Sequence, residues 1–344
     1  MRPRATAFTV RNQRPSVKLV LALVLFGCAA CRTKGADAGE PARGVRSKVE
    51  TTLVASTTPA QPSAVPAPRA VAKIPAGEAV IRFAVIGDFG AASEAEAKVA
   101  ELVRAEKPDF VVTTGDNNYP DGEARTIDPN IGRFYHDFIY PYVGRFGPGA
   151  TENRFFPALG NHDWRTPGAK PYLDYFTLPN NERYYELLRG DVQLFAIDSD
   201  EHEPDGIEAT SKQAAWLERA LHESKAAWQI VYMHHPPYSS GSHGSSVELR
   251  WPYGKWGADL VLAGHDHHYE RLEQEGIVYV VNGLGGNRSY EVGKPIPGSV
   301  MAYQARHGAQ IIEASKSTLV SRFINIDHQT IDEFSLEASA KPAP

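Results

Sequence analysis

AVIRFAVIGD (Ala79–Asp88) is a near-continuous apolar run that stops at Gly-Asp, and PDFVVTTGD (Pro108–Asp116) ends in the same way. A short apolar run closed by glycine reads as a strand buried on both faces. Between the two, Ser93–Glu106 places Ala97, Val99, Leu102 and Val103 at helical spacing, with Ser93 positioned to cap the first turn. The strand–helix–strand order predicts two parallel neighbours. Asp88 and Asp116 then share one edge of the sheet, the carboxyl-terminal edge where open α/β sheets bind ligands.

The pattern recurs. RFFPALGN (Arg154–Asn161), WQIVYMH (Trp228–His234) and ADLVLAGH (Ala258–His265) each run apolar and then stop at a side chain able to bind a metal. SKQAAWLERALHES (Ser211–Ser224) predicts a helix with Trp216, Leu217, Ala220 and Leu221 facing inward. YYELLRGDVQLFAID (Tyr184–Asp198) predicts a hairpin through Arg189–Asp191. EGIVYVVNGLGG (Glu275–Gly286) and AQIIEASKSTLVSRFINID (Ala309–Asp327) predict antiparallel strands. Together these elements call for two packed sheets flanked by helices.

With 344 residues, 42% of them hydrophobic, the chain can bury a large core. Its formal net charge is −5, and the residues before Cys31 hold Arg2, Arg4, Arg11, Arg14 and Lys18 with no acid. Without that segment the remainder stands at −10, which argues against nucleic acid as a partner, since such binding relies on neutralising phosphates with Lys and Arg. The basic stretch precedes Leu19–Ala30, an apolar run too short to span a bilayer but suited to a signal peptide. LFGC (Leu25–Cys28) resembles a bacterial lipobox, and CAAC (Cys28–Cys31) is the alternative; a plain signal peptide with incidental cysteines is the simpler reading. The organisation expected is a signal peptide with lipobox over 1–31, an Ala/Pro-rich tether over 32–77 that includes TTPAQPSAVPAPRA (Thr57–Ala70), and one folded domain over 78–338. Such a chain is exported to the periplasm or cell surface and attached to the membrane through an N-terminal lipid. No cysteine remains beyond Cys31 to form a disulfide, act as a nucleophile or bind a soft metal.

Five blocks carry the chemistry: GDFG (Gly87–Gly90), GDNNY (Gly115–Tyr119), GNHD (Gly160–Asp163), YMHHPPY (Tyr232–Tyr238) and GHDHHYER (Gly264–Arg271). Taken singly, Asp88 reads as a turn residue, Tyr119 as a surface aromatic, and His265 and His267 as flanks of a strand end. In this order and number they read as ligands. Asp88, Asp116, Tyr119, Asn161, His234, His265 and His267 are all oxygen or nitrogen donors, suited to iron, manganese or zinc. Seven ligands exceed what one catalytic ion with open positions takes. They suit two ions sharing a carboxylate, roughly 3.5–4 Å apart. Tyr119 discriminates further. A phenol has an ordinary pKa of about 10, so holding it as phenolate near neutral or acidic pH takes a strongly Lewis-acidic ion, typically trivalent iron. An ion among Asp88, Asp116, Tyr119 and His267 meets up to three anionic ligands and suits a +3 charge. One among Asp116, Asn161, His234 and His265 meets mostly neutral ligands and suits +2.

These blocks resemble those of the purple acid phosphatases, within the calcineurin-like metallophosphoesterase superfamily, over Arg82–Gly286. GDFG, GDNNY and the short single-domain length are most similar to the tartrate-resistant acid phosphatase type, whereas YER after the last histidines is more similar to the plant branch. The resemblance implies an α/β (α+β) fold, a four-layer αββα sandwich of two mixed sheets flanked by helices. It also implies an Fe(III)–M(II) centre, M being Fe, Zn or Mn, which hydrolyses phosphate monoesters of small molecules with a metal-bridged hydroxide. Motif by motif, Asp88, Asp116, Tyr119 and His267 would bind the ferric ion, and Asp116, Asn161, His234 and His265 the divalent one. His162 resembles the family histidine that contacts phosphate and protonates the leaving group, and His243 in SSGSHG (Ser239–Gly244) matches a second such histidine. His235 and His268 are read as structural, Asp163 as a residue that orients His162, and Tyr269 and Arg271 as packing under the site. The rival readings are a metallophosphoesterase of phosphodiesters or nucleotides, and a non-catalytic surface lipoprotein that binds metal or phosphate.

Overall fold

Residues 71–338 are described in a computed structural model, and there the two Gly-Asp strands lie side by side. Strand β1 (Ile81–Ile86) pairs in parallel with β2 (Phe110–Thr113), Phe83 opposite Phe110 and Ile86 opposite Thr113. The helix between them spans Glu94–Glu106, and Ser93 Oγ accepts the backbone N–H of Glu96 as its cap. Asp88 and Asp116 therefore leave adjacent strands at the same end. The signal-peptide run, Cys28, Cys31 and the Ala/Pro-rich tether lie outside the described residues.

Two mixed sheets build the fold. Beside β2 lies β3 (Phe155–Pro157), parallel to it, and on the other side of β1 run β11 (Gly308–Ala314), β12 (Thr318–Asn325) and β13 (Thr330–Glu337), giving the order β13-β12-β11-β1-β2-β3. The second sheet contains β4 (Tyr185–Arg189), β5 (Val192–Ala196), β6 (Trp228–Tyr232), β7 (Leu260–Ala263), β8 (Tyr269–Gln274), β9 (Ile277–Asn282) and β10 (Ser299–Tyr303), in the order β10-β8-β9-β7-β6-β5-β4. Strands β5, β6, β7 and β9 are parallel neighbours. The β4–β5 hairpin turns through Gly190, whose φ is +56°.

Alternation along the second sheet divides its side chains between two cores. Leu194, Ile230, Leu260, Leu262 and Val280 join a cluster shared with Phe83, Ile311 and Phe323 of the first sheet. Phe195, Val231, Val261, Tyr279 and Val281 face the other way, onto the helices Lys212–Glu223 and Tyr253–Trp256. Leu217, Ala220 and Leu221 are buried as the spacing predicts, but Trp216 is only half-buried and Gln213 takes an inward place. The polar residue is inside because its amide grips the loop after β5: Gln213 Oε1 accepts the Asp198 N–H at 2.7 Å, and Nε2 donates to the Asp198 carbonyl at 2.9 Å.

Tyr269, fully buried, and Arg271 follow the last histidines into β8 and reach across to the other sheet. Tyr269 Oη donates to Asp332 Oδ2 at 2.9 Å, Arg271 Nε donates to the same oxygen at 2.7 Å, and Nη2 donates to Asp332 Oδ1 at 3.1 Å, so both tie β8 to β13 across the sheets.

Candidate metal centre

The carboxyl-terminal ends of β1, β2, β3, β6 and β7 deliver the ligand candidates to one place. The chain bends sharply there: Asp88, Asp116 and His265 have φ of 55°, 53° and 70°, in the left-handed region that Asp and His tolerate better than most residues. Strained backbone of this kind persists where surrounding structure holds it. Two glycines are required by close approach. A Cβ at Gly115 would lie 2.6 Å from His234 Nδ1, and one at Gly160 would lie 2.2 Å from the Asp116 nitrogen.

Four donors converge in the first half of the site. Tyr119 Oη lies 2.8 Å from Asp116 Oδ2, 3.1 Å from His267 Nε2 and 3.3 Å from Asp88 Oδ1, and His267 Nε2 is 3.3 Å from Asp88 Oδ1. His267 Nδ1 contacts the Arg288 carbonyl at 2.5 Å; a carbonyl only accepts, so Nδ1 carries the proton and Nε2 offers a lone pair. Asp88, Asp116 and His267 present ligand atoms within 4.8 Å of one another, all buried. The phenol has one proton for three acceptors, and the surplus of lone pairs is what a cation would satisfy. The electrostatics agree. Burial first, and then the carboxylates of Asp116 and Asp88, push the Tyr119 phenol well above its ordinary pKa; only a strong positive charge beside it reverses that.

The second half shares Asp116. Its Oδ1 lies 3.4 Å from His234 Nε2, which is 3.0 Å from Asn161 Oδ1 and 3.1 Å from His265 Nδ1. His234 Nδ1 donates to the Thr114 carbonyl at 2.8 Å, which again leaves Nε2 as the lone pair. One oxygen of Asp116 thus faces each half, as a shared carboxylate requires. Burial opposes a charge on His234, but Asp116 and Asp88 outweigh it and raise its pKa, so the field of the site favours positive charge. His265 is held neutral, its pKa driven down by burial and then by His234 and His235.

His162 and His243 sit at the rim. His162 Nδ1 contacts the Pro120 carbonyl at 2.5 Å and its backbone N–H donates to Asp116 Oδ1 at 2.9 Å, so Nε2, 3.9 Å from Asp116 Oδ2, is the nitrogen that faces the centre. His243 is exposed and lies over His265, ring centroids 4.3 Å apart. Asp163 does not orient His162. Its Oδ2 accepts the N–H of Gly160 at 2.9 Å, the Asn117 side chain at 2.9 Å and the Asn117 N–H at 3.2 Å, so it holds the GNH turn against the GDNNY loop. Burial and then Asp116 raise its carboxyl to about 7.

Three features were not legible as site residues. Asp266, between two of the histidines and fully buried, accepts Ser239 Oγ at 2.5 Å and the His243 N–H at 2.9 Å, and so moors the loop that presents His243. Tyr290 stacks on His267 with centroids 4.1 Å apart and planes 7° from parallel. His235, read from sequence as structural, presents a ring nitrogen within 4.8 Å of those of His234 and His265. Asp266 and His235 are neighbours of ligands inside the motifs, which is the one signal that could have marked them.

The sequence model of the family described as calcineurin-like phosphoesterase matches residues 81–269. Purple acid phosphatase 17 of Arabidopsis thaliana is 30% identical over 242 residues, covering 60% of this chain and 68% of the relative. Tartrate-resistant acid phosphatase type 5 of Homo sapiens is 23% identical over 307 residues, covering 76% and 92%. Among solved structures, the purple acid phosphatase PPD1 of yellow lupin seeds matches the fold with a TM-score of 0.63 at 19% identity, over 77% of this chain and 55% of that one, so the chain spans little more than half of the lupin enzyme. GAP50, described as the anchor in the inner membrane complex of Plasmodium, matches with a TM-score of 0.60 at 21% identity, over 76% of this chain and 90% of that one.

Proposed function

The chain belongs to the calcineurin-like phosphoesterase family, in its purple acid phosphatase branch, and from that premise we propose that it hydrolyses phosphate monoesters of small molecules at an Fe(III)–M(II) centre. The observation that carries this reading is the pair of tetrads sharing Asp116, one of them built around the Tyr119 phenol. Asp88, Asp116, Tyr119 and His267 would hold the ferric ion, and Asp116, Asn161, His234 and His265 a divalent iron, zinc or manganese. Two adjacent cations, when bound, acidify water and offset charge on a phosphoryl group. The remaining work belongs to the chain. The Arg288 and Thr114 carbonyls fix the tautomers of His267 and His234, and Asp163 fixes the turn carrying Asn161 and His162. With its Nδ1–H given to Pro120, His162 in its imidazolium form would point Nε2–H toward phosphate and hand that proton to the leaving oxygen, ending as the neutral ring. His243 faces the same space from the opposite loop. The Plasmodium neighbour is described as an anchor, so shared fold does not by itself entail hydrolysis; the donor set supports it here. We further propose export, with Cys28 or Cys31 as the lipid-bearing residue.

The test is optical and kinetic. Purified full chain with iron and zinc should show a broad visible band that Tyr119→Phe abolishes, and should hydrolyse para-nitrophenyl phosphate between mildly acidic and neutral pH. A colourless protein holding two divalent ions would remove the ferric assignment. A dominant rate on bis-para-nitrophenyl phosphate would move the reading to phosphodiesters.

A further inference from the structure

His235 has no task in the reading above, yet its ring centroid lies 4.9 Å from that of His234 and 4.5 Å from that of His265. Its hydrogen bonds decide what it can do. Ser199 Oγ accepts the backbone N–H of His235 at 2.8 Å and that of His234 at 3.2 Å. A hydroxyl oxygen has two lone pairs, so both are taken. The third contact, Ser199 Oγ to His235 Nδ1 at 3.0 Å, must then run from the hydroxyl to the ring. A ring protonated at Nδ1 would need a lone pair that Ser199 no longer has. His235 therefore carries its proton on Nε2, the nitrogen left for the histidine cluster. Such a nitrogen cannot ligate a metal; it donates. This separates His235 from His234 and His267, whose Nδ1 protons are given to carbonyls and whose Nε2 atoms are lone pairs.

We propose that His235 is a phosphate-binding residue: its Nε2–H donates to a phosphoryl oxygen lodged against the His234–His265 half of the centre, with Ser199 setting the tautomer. The proposal rests on the phosphatase reading for the identity of that oxygen. It explains why a third histidine is brought to a half that already has its ligands, and why a serine is spent behind it. An uncharged donor also adds nothing to the positive charge that the ions would supply.

The experiment compares full-length wild type, His235→Leu, His235→Gln and Ser199→Ala, loaded with iron and zinc, by metal content and by calorimetric titration with inorganic phosphate. All four should hold two metal ions per chain. His235→Leu should bind phosphate about tenfold more weakly, the usual effect of one lost hydrogen bond, and His235→Gln, which keeps a donor, should recover most of it. Ser199→Ala frees the ring to take the other tautomer and should weaken phosphate in the same direction. Loss of one metal in both His235 variants would make the residue a ligand and overturn the proposal, as would unchanged phosphate affinity in His235→Leu. If that variant fails to fold, unchanged affinity in Ser199→Ala overturns it. Failure of the hydrolase reading is a separate result: a wild-type chain that binds two metals and phosphate but turns over no ester leaves this comparison decisive. A wild type that binds no phosphate overturns the proposal outright.

Discussion

The two halves of the centre are built on different principles. The phenol half is anionic and buried: Asp88, Asp116 and His267 are almost fully excluded from solvent, and each lies at a strand end or is held by a backbone carbonyl. The histidine half has only one carboxylate and is more open at its edge, with Asn161, His235 and His265 half-buried and His243 exposed on a loop, around a fully buried His234. On the proposed reading, the first half would hold the more highly charged ion and the second would leave room beside an ion for substrate, with Asp116 as the one group that belongs to both.

Removing that shared group should erase the distinction, and it carries the largest expected effect. Asp116→Ala takes an oxygen from each tetrad and, with it, the acceptor for the Tyr119 phenol and the His162 N–H. Turnover should fall by about a thousandfold or more, and metal analysis should show both ions depleted. Depletion of one ion alone would mean that the halves do not share a carboxylate. Asp266→Ala should sharpen the distinction. It releases Ser239 and the His243 N–H without touching the phenol tetrad. We expect kcat to fall about 10–100-fold, the usual cost of an outer support, while the visible band and metal content stay as in wild type. A band lost along with kcat would show the halves to be mechanically one.

What was legible in the sequence follows a different line, between ligands and their supports. The ligand candidates of both halves lie at the ends of apolar runs, so GDFG, GDNNY, GNHD, YMHH and GHDH announce both the strands and the ligands they carry. The parallel β1–β2 pair, the capped helix between them, the β4–β5 hairpin and the two mixed sheets follow from local pattern in the same way. The supports were not legible, because each joins residues far apart in the chain. Asp266 reaches back to Ser239, Ser199 reaches forward to His235, and Tyr269 and Arg271 cross between sheets to Asp332. Asp163 shows the limit most plainly. Adjacency to His162 suggested that it orients that ring, but the turn points its carboxylate away, toward Asn117 and Gly160.

The smallest effect concerns what holds the phenol half in place. Ser93 caps the helix, its Oγ accepting the Glu96 N–H at 3.0 Å, while Glu96 Oε2 reaches back to accept the Ala91 N–H at 3.1 Å. Ser93 Oγ also donates to the Gly286 carbonyl at 2.6 Å, next to Asn287, whose N–H donates to the Asp88 carbonyl at 2.9 Å. The cap therefore braces the Asp88 loop. Glu96 is fully buried with Oε1 unpartnered, and burial drives its carboxyl well above the ordinary 4.5, against the pull of the Ala92 and Ala91 N–H groups. The folded chain thus keeps a proton that the unfolded chain gives up. Its contribution to stability is complete below pH 4.5 and is lost as pH rises toward the folded value, by at most about 1.4 kcal/mol per pH unit. Glu96→Gln removes the titration and keeps an acceptor for Ala91. Thermal melts from pH 4.5 to neutrality should show a flatter decline in the variant, with the visible band and turnover unchanged. A slope equal to that of wild type would mean that Glu96 is ionised in the fold. The phenol half would then rest on a buried carboxylate rather than on a neutral carboxyl.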